Sequence, residues 1–300
     1  MLTFDELTRL TSLFLSLGVR KLRITGGEPL LRKNVEHLIE RLHGLRTLNC
    51  SPPEIALTTN GSILARKTTA LKAAGLNRVT VSLDALDDHT FRKMSDADCS
   101  VADVLKGIEA AQRAGLGPIK VNMVVWRGVN ADQVLPMVEH FRHTGVELRF
   151  IEYMDVGATN RWQSAEVVTA SSMLASITQR YALVPLERSP GETARRFAHE
   201  DGSGHIGFIA SVSEPFCGDC TRLRLSADGQ LHTCLFSTAG YDVRQRLRSE
   251  EPDDSIALAL RALWQQRADR YSEQRADNTV SHRISTTSAS ARVEMSYIGG

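Results

Sequence analysis

The sequence has no run approaching the roughly 18 consecutive apolar residues that a membrane-spanning helix needs. It begins Met1-Leu2-Thr3-Phe4-Asp5-Glu6, acidic at once and without the apolar stretch of a secretory signal, so the expected location is the cytoplasm, with no membrane partner. Net charge is also missing. There are 36 Lys+Arg against 35 Asp+Glu, which gives no global attraction to nucleic acid or to an anionic membrane, so any anion site must be local. Cysteine is scarce and odd in number. The five residues, Cys50, Cys99, Cys217, Cys220 and Cys234, argue against a disulfide framework and for burial or metal binding, and only the last three are clustered. What remains is an ordinary globular composition, 42% hydrophobic and 24% charged over 300 residues, long enough for one large domain or two smaller ones.

Thr3-Phe4-Asp5-Glu6 is a capping box, and Leu7, Leu10, Phe14 and Leu17 follow at helical spacing until Gly18 ends the pattern. Strand-like runs then recur near 19–25, 54–59, 78–84, 118–125 and 147–152, with helical stretches around 34–43, 62–74, 101–115 and 131–144. Such alternation means parallel strands joined by right-handed crossovers, hence a barrel or an open wound sheet. From about residue 161 the rhythm changes to a helix, short strands of antiparallel character, a cysteine-rich loop and an Asp228-Gly229 hairpin signal. That change marks a second domain.

A parallel strand covered on both faces is nearly all apolar. These strands alternate instead. Leu22 and Ile24 oppose Lys21, Arg23 and Thr25; Ile55 and Leu57 oppose Thr58; Val79, Val81 and Leu83 oppose Thr80, Ser82 and Asp84. Ile119, Val121 and Met123 oppose Lys120 and Asn122, while Leu148 and Phe150 oppose Arg149. With helices on the apolar face, the other face lines a polar cavity containing the cations Lys21, Arg23, Lys120 and Arg149, whose mutual repulsion requires an anion such as a polyphosphate. A sheet with one solvated face is the plainer reading for any single strand, and repetition over five strands weighs against it.

Three motifs carry chemistry. Gly26-Gly27-Glu28-Pro29 follows a strand and precedes a helix: the glycines let backbone approach a ligand, and the carboxylate can accept hydrogen bonds from an ammonium group. By itself it is equally a plain turn. Cys217-Gly218-Asp219-Cys220 with Cys234 makes a C-x2-C-x13-C set, suited either to a structural zinc completed by His232 or Asp219, or to an iron–sulfur cluster with one iron left open for substrate. Directly after it, Arg222 and Arg224 share one face as Leu223 and Leu225 pack inward, and two guanidiniums beside a metal site suit phosphate or a purine edge. The ending Ile298-Gly299-Gly300 has the composition of a frayed tail.

Lys21 to Arg32, Leu57-Thr58-Thr59-Asn60-Gly61, Val81-Ser82-Leu83-Asp84-Ala85, Arg149 to Asp155, the cysteine triplet with its arginines and the Gly-Gly ending together resemble, in order, the GTP 3′,8-cyclase family of radical S-adenosylmethionine (SAM) enzymes. The resemblance implies an α/β chain with an incomplete triosephosphate-isomerase-type parallel (β/α) barrel over residues 1–160. A smaller α+β domain carrying a cysteine-ligated cluster would follow over 161–300. It implies SAM at Gly27, Glu28, Ser82 and Met154. GTP would lie at Arg23, Thr58, Lys120, Arg222 and Arg224, with Lys21 and Arg149 as supporting cations. Cys217, Cys220 and Cys234 would hold a substrate-side 4Fe–4S cluster, and Gly299 and Gly300 would reach into the active site and assist catalysis. The implied reaction is the 3′,8-cyclisation of GTP by a 5′-deoxyadenosyl radical, in a homodimer, ahead of cyclic pyranopterin monophosphate synthase in molybdenum cofactor biosynthesis. Family members also carry an upstream C-x3-C-x2-C loop for a second 4Fe–4S cluster that cleaves SAM. No such triplet is present, so the chain as written is expected to hold one cluster and to be inactive. A non-catalytic GTP-binding iron–sulfur protein and another radical SAM enzyme with an auxiliary cluster are the alternatives.

Overall fold

The first strand, β1 (Lys21–Ile24), pairs in parallel with β2 (Glu54–Thr59), and the series continues through β3 (Arg78–Ser82), β4 (Lys120–Val125) and β5 (Glu147–Glu152). The structure is a computed structural model and describes residues 1–95, 97–157, 162–218, 220–275 and 293–299. Around these strands run α1 (Phe4–Ser16), α2 (Val35–Gly44), α3 (Leu64–Ala73), α4 (Asp88–Met94), α5 (Val101–Arg113) and α6 (Val134–Phe141). The expected capping box forms on α1: the Thr3 hydroxyl accepts the Glu6 N–H at 3.1 Å, and Glu6 accepts the Thr3 N–H at 2.7 Å. Gly18 ends this helix at φ 99°, a conformation open to glycine at little cost. Helix α4, started by the Asp87 side chain on the Thr90 N–H, is an element the periodicity does not reveal.

Past α7 (Ala170–Thr178), three strands rejoin the same sheet: β6 (Leu183–Pro185), β7 (Arg195–His199) and β8 (His205–Ile209). The order is β1-β2-β3-β4-β5-β8-β7-β6, with β8 parallel to β5 and the last two antiparallel. The outcome is the α/β architecture of a partial triosephosphate-isomerase-type barrel with a smaller C-terminal unit. In the register, Val81, Val121, Leu148 and Ile206 lie side by side, all nearly or completely buried under the helices. One residue along, Thr58, Thr80, Lys120, Glu147 and His205 form a polar row on the opposite face, and Ser82, Asn122, Arg149 and Gly207 form the next. Period-two side-chain alternation therefore produces a dry outer layer and a polar lumen. Gly107 lets α5 close on α3, since a Cβ there would meet the Gly61 carbonyl and Leu64 Cβ at 3.1 Å.

The C-terminal unit has a three-stranded antiparallel sheet, β9 (Arg224–Leu225), β10 (Gln230–His232) and β11 (Tyr241–Asp242), then α8 (Arg244–Arg248) and α9 (Asp253–Gln265). Its Asp228-Gly229 turn joins β9 to β10, as the hairpin signal implies. Leu223 and Leu225 do pack inward, and they pack on helix α1: Leu2, Leu10 and Leu13 share one core with Leu231, Val243, Leu247, Ile256 and Leu260. Arg9 fastens the same contact, donating to Asp253 at 2.8 Å and to the Leu247 and Glu251 carbonyls. Among the described residues no helix is long and apolar enough to cross a membrane.

Leu10 has no exposed surface, whereas Leu258 on the outer side of α9 is 67% exposed. Leu10→Ala should lower stability by about 2–5 kcal/mol through lost burial and the cavity left behind, and Leu258→Ala by no more than about 0.5 kcal/mol. Urea unfolding of the two variants beside the unaltered chain checks this.

Candidate functional site

The lumen gathers more charge than the sequence pattern shows. The Arg23 guanidinium donates to Thr58 Oγ1 at 2.7 Å and to Thr80 Oγ1 at 3.2 Å. Its side chain meets the solvent of the lumen but is ringed by protein. That burial, with Arg78 and Arg149 nearby, pushes its pKa down to about 10. Lys120, with only 12% of its side chain exposed, is pushed down to about 8 by burial and by Arg149, against the opposing pull of Glu147. The four cations of the sequence pattern are joined by Arg78 and Arg196, and protein carboxylates stand among them. Glu54 pairs with Lys21 at 3.3 Å and Arg78 at 2.7 Å; Glu147 faces Arg149 at 2.5 Å, Lys120 at 3.7 Å and Arg196 at 3.9 Å; Glu192 meets Arg196 at 2.9 Å. Six cations against three carboxylates leave an excess of three. The expectation that the cations have no anion of their own is thus corrected: an incoming anion would compensate the excess rather than the whole.

At the C-terminal ends of the strands, the Glu28 carboxylate caps the short turn Pro29–Leu31 and ties it to the end of β2. It accepts from the Leu30 N–H at 3.0 Å, Thr59 Oγ1 at 2.8 Å and the Asn60 N–H at 2.7 Å. These donors shape the Gly26-Gly27 loop, and Gly27 itself is exposed beside it, with open space where a Cβ would stand. Ser82 ends β3, and Met154 follows β5 on the same rim. Asp84, enclosed at this rim, is pushed up to about 7 by burial, opposed by the Val124 N–H it accepts at 2.7 Å. Fully buried Asn130 stitches the Asp84 and Val124 carbonyls together, each at 2.8 Å. Fully buried Glu152 does the same for the other side, accepting from the Ala170, Val212 and Ser213 N–H groups at 2.8 Å. Sequence reasoning did not single out Arg78, Glu147, Asn130, Glu152 or Arg196. Of these, Glu147 and Arg78 carried a signal, since they share the inward periods of Arg149 and of Thr80 and Ser82.

The C-terminal unit brings its motif to the same rim. Arg222 lies over the Phe216 ring at 5.1 Å and donates from Nε and Nη2 to Cys220 Sγ at 3.2 and 3.0 Å. Burial by itself would raise the Cys220 thiol; the Arg222 N–H and the Arg267 and Arg222 guanidiniums outweigh it and hold the thiol below its usual value. Cys234 is raised by burial and by neighbouring Asp269 and Cys217, although the Phe236 N–H points at its sulfur from 3.4 Å. The three thiols thus share one electrostatic neighbourhood. Among the described residues, no three His, Cys, Asp or Glu side chains stand at metal-holding geometry. The donor chemistry fits a thiolate-ligated cluster nonetheless, because guanidiniums that favour a thiolate favour a ligand. His232, a candidate fourth ligand, is buried edge-on to the Tyr297 ring, and Asp219 lies outside the described residues.

Arg224 Nε donates to the Gly299 carbonyl at 3.2 Å, and Gly299 sits so close to the end of β1 that a Cβ would meet Thr25 Cγ2 at 2.3 Å. A helical turn, Met295–Ile298, and the Tyr297 hydroxyl donating to Asp228 at 2.5 Å hold this tail in place. The tail is ordered against the barrel, not frayed; Gly300 lies outside the described residues.

Comparison with known proteins gives this arrangement a family. Residues 1–141 match the Radical SAM superfamily, and residues 146–273 match Molybdenum Cofactor Synthesis C. A relative named GTP 3′,8-cyclase from Xanthomonas campestris pv. campestris is 50% identical over 300 residues, covering 100% of this chain and 84% of its own. The chain belongs to the GTP 3′,8-cyclase family. Relatives of the same name from Acidothermus cellulolyticus and Staphylococcus aureus are 46% and 42% identical, again over 100% of this chain and over 87% and 86% of theirs. The solved structure of native anSMEcpe with bound AdoMet covers 82% of this chain and 71% of its own at a TM-score of 0.53 and 13% identity, which speaks to the fold alone.

Lys120 gives the site a pH signature. Folded, it releases its proton near pH 8; unfolded, it does so near 10.5, so the unfolded chain holds more protons between these values. Stability should therefore rise from pH 8 to pH 10, by on the order of 2–3 kcal/mol from this group. Lys120→Met should remove that part of the rise. Urea unfolding of both proteins at the two pH values measures it.

Proposed function

We propose that this chain binds GTP across the barrel mouth and serves the GTP 3′,8-cyclase reaction of molybdenum cofactor biosynthesis, with the cleavage of SAM needing a C-x3-C-x2-C cluster loop that these 300 residues do not include. The observation that carries the reading is the meeting of three separate segments at one rim: Arg224 from the cysteine-bearing unit, Gly299 from the tail and Thr25 from the end of β1. Lumen cations Lys21, Arg23, Lys120 and Arg149 lie below that rim with an excess of positive charge, which suits a triphosphate, while Thr58 already orients Arg23. Bound SAM, cleaved reductively at a 4Fe–4S cluster, would supply the radical chemistry that joins the ribose C3′ of GTP to C8.

The residues of the chain hold and orient. Gly27 offers exposed backbone for the methionyl end of SAM, Glu28 fixes that loop through its three donors, and Ser82 and Met154 border the same rim. Arg222 and Arg224 would take the purine or phosphate edge, and Cys217, Cys220 and Cys234 would hold the substrate-side cluster beside the C-terminal sheet. Gly299 and Gly300 would close the mouth, where exclusion of water protects a radical from side reactions. A homodimer, and a cyclic pyranopterin monophosphate synthase that takes the product, complete the proposal.

Arg222→Ala and Arg224→Ala should each weaken GTP binding roughly tenfold or more, the equivalent of about 1.5–3 kcal/mol for a charge-assisted pair. Calorimetric titration of GTP into anaerobically reconstituted protein tests this, and unchanged affinity in both variants would take the arginines out of the site.

Each of Cys217→Ala, Cys220→Ala and Cys234→Ala should abolish the visible iron–sulfur absorption obtained after anaerobic reconstitution with iron and sulfide. If the unaltered chain stays colourless and holds zinc instead, the cluster assignment fails.

A further inference from the structure

One group in the lumen runs against its charge. Glu147 opens β5, its side chain is 9% exposed, and it puts a carboxylate into the cavity that the proposed function gives to a triphosphate. A negative charge there opposes such a ligand, so its presence points to work on the neighbouring cations. Its Oε1 accepts from Arg149 Nε at 2.5 Å and faces Lys120 Nζ at 3.7 Å; its Oε2 lies 3.9 Å from Arg196.

A second and independent observation concerns the same arginine. Gly207 on β8 is the register partner of Arg149. A Cβ on Gly207 would meet Arg149 Cγ and Ala194 Cβ, both at 3.3 Å, and Arg149 Nε at 3.8 Å. The stem of Arg149 therefore lies flat on bare backbone while its Nε is tied to Glu147. The terminal nitrogens of the guanidinium, the fork that suits phosphate oxygens, take no part in that tie.

We propose that Glu147 and Gly207 form a socket that fixes the Arg149 guanidinium and counterbalances Lys120, making both positioning residues of the triphosphate site. This rests on the GTP reading and deepens it. Lys120 is faced by Glu147 and Arg149 from β5, Arg78 from β3 and Glu192 from the segment before β7, with Arg196 on β7 and His205 on β8 beside Glu147. Of these only the carboxylates favour the charged ammonium, and Glu147 is the larger of the two influences. A neutral side chain at position 147 thus makes Lys120 lose its proton at lower pH.

The test is a double-mutant cycle read with two probes, GTP and inorganic triphosphate, by calorimetry on the full chain. Gly207→Ala should weaken both roughly tenfold by displacing one charge-assisted pair, and should add nothing in an Arg149→Ala background. Additive losses, or no loss, would overturn the socket. In parallel, triphosphate affinity should fall with rising pH around a midpoint near 8 in the unaltered chain, and at lower pH in Glu147→Gln. An unmoved midpoint would also overturn it. Should Glu147→Gln fail to fold, the Gly207→Ala cycle decides alone. Competitive acetylation of Lys120 in ligand-free protein separates the two layers. A lowered Lys120 ionisation in Glu147→Gln with neither probe binding would sink the GTP reading and leave the socket; normal GTP binding with additive Gly207→Ala would do the reverse.

Discussion

Enclosing like charges in one cavity is the constraint on which the rest of this structure turns. Parallel strands bring Arg23, Arg78, Lys120 and Arg149, and antiparallel β7 brings Arg196, into a lumen walled by low-polarity protein, where repulsion is weakly screened. The fold answers with carboxylates at the N-terminal ends of β2 and β5. Glu54 and Glu147 stand in the same layer as Lys21 and Lys120, so the base of the lumen is compensated and the excess lies toward the rim. The direction of that gradient matters, because ligands of parallel α/β folds enter at the C-terminal ends of the strands.

Much of this was legible in the sequence because it rests on local periodicity. The inward row Thr58, Thr80, Lys120 follows from alternation alone, as does the outward row of Val81, Val121 and Leu148. The capping box on α1 and the Asp228-Gly229 turn are also local, and both form where their residues stand. What stayed hidden is what only the folded chain brings together. No short-range pattern says that β8 will lie beside β5, with Arg149 paired to Gly207 58 positions on, or that Arg196 will reach Glu147. Asn130 and Glu152 were invisible for a related reason: their partners are largely backbone groups, such as the Asp84 carbonyl and the Val212 N–H, which any residue type but proline can supply.

The motif residues show a second limit of sequence reading. Spacing brought out Glu28, Arg222 and Arg224 as groups that could touch a ligand, and the structure gives each a protein partner as well. Glu28 is occupied by three donors, Arg222 by a thiol and Arg224 by the Gly299 carbonyl. A side chain that organises a loop and one that contacts a substrate look alike in a motif. The distinction lies in how many of its hydrogen-bonding positions the protein already fills, which for the Glu28 carboxylate is three.

Helix α1 is near the amino terminus, yet its apolar stripe is buried by residues from Leu223 to Leu260, and its Arg9 reaches Asp253 across 244 positions. As the chain emerges during synthesis, this stripe has no complete core to enter until most of the polypeptide has been made. The strands between can pair with their neighbours in order, but closing the ends requires a loop of nearly the whole chain, and contacts of such separation form late and slowly. Helix α1, made well before its partners, is thus among the last of these elements to dock. A nascent protein of this design exposes an amphipathic helix until the segment from Leu223 to Leu260 has been made, which makes that helix a natural point of engagement for chaperones.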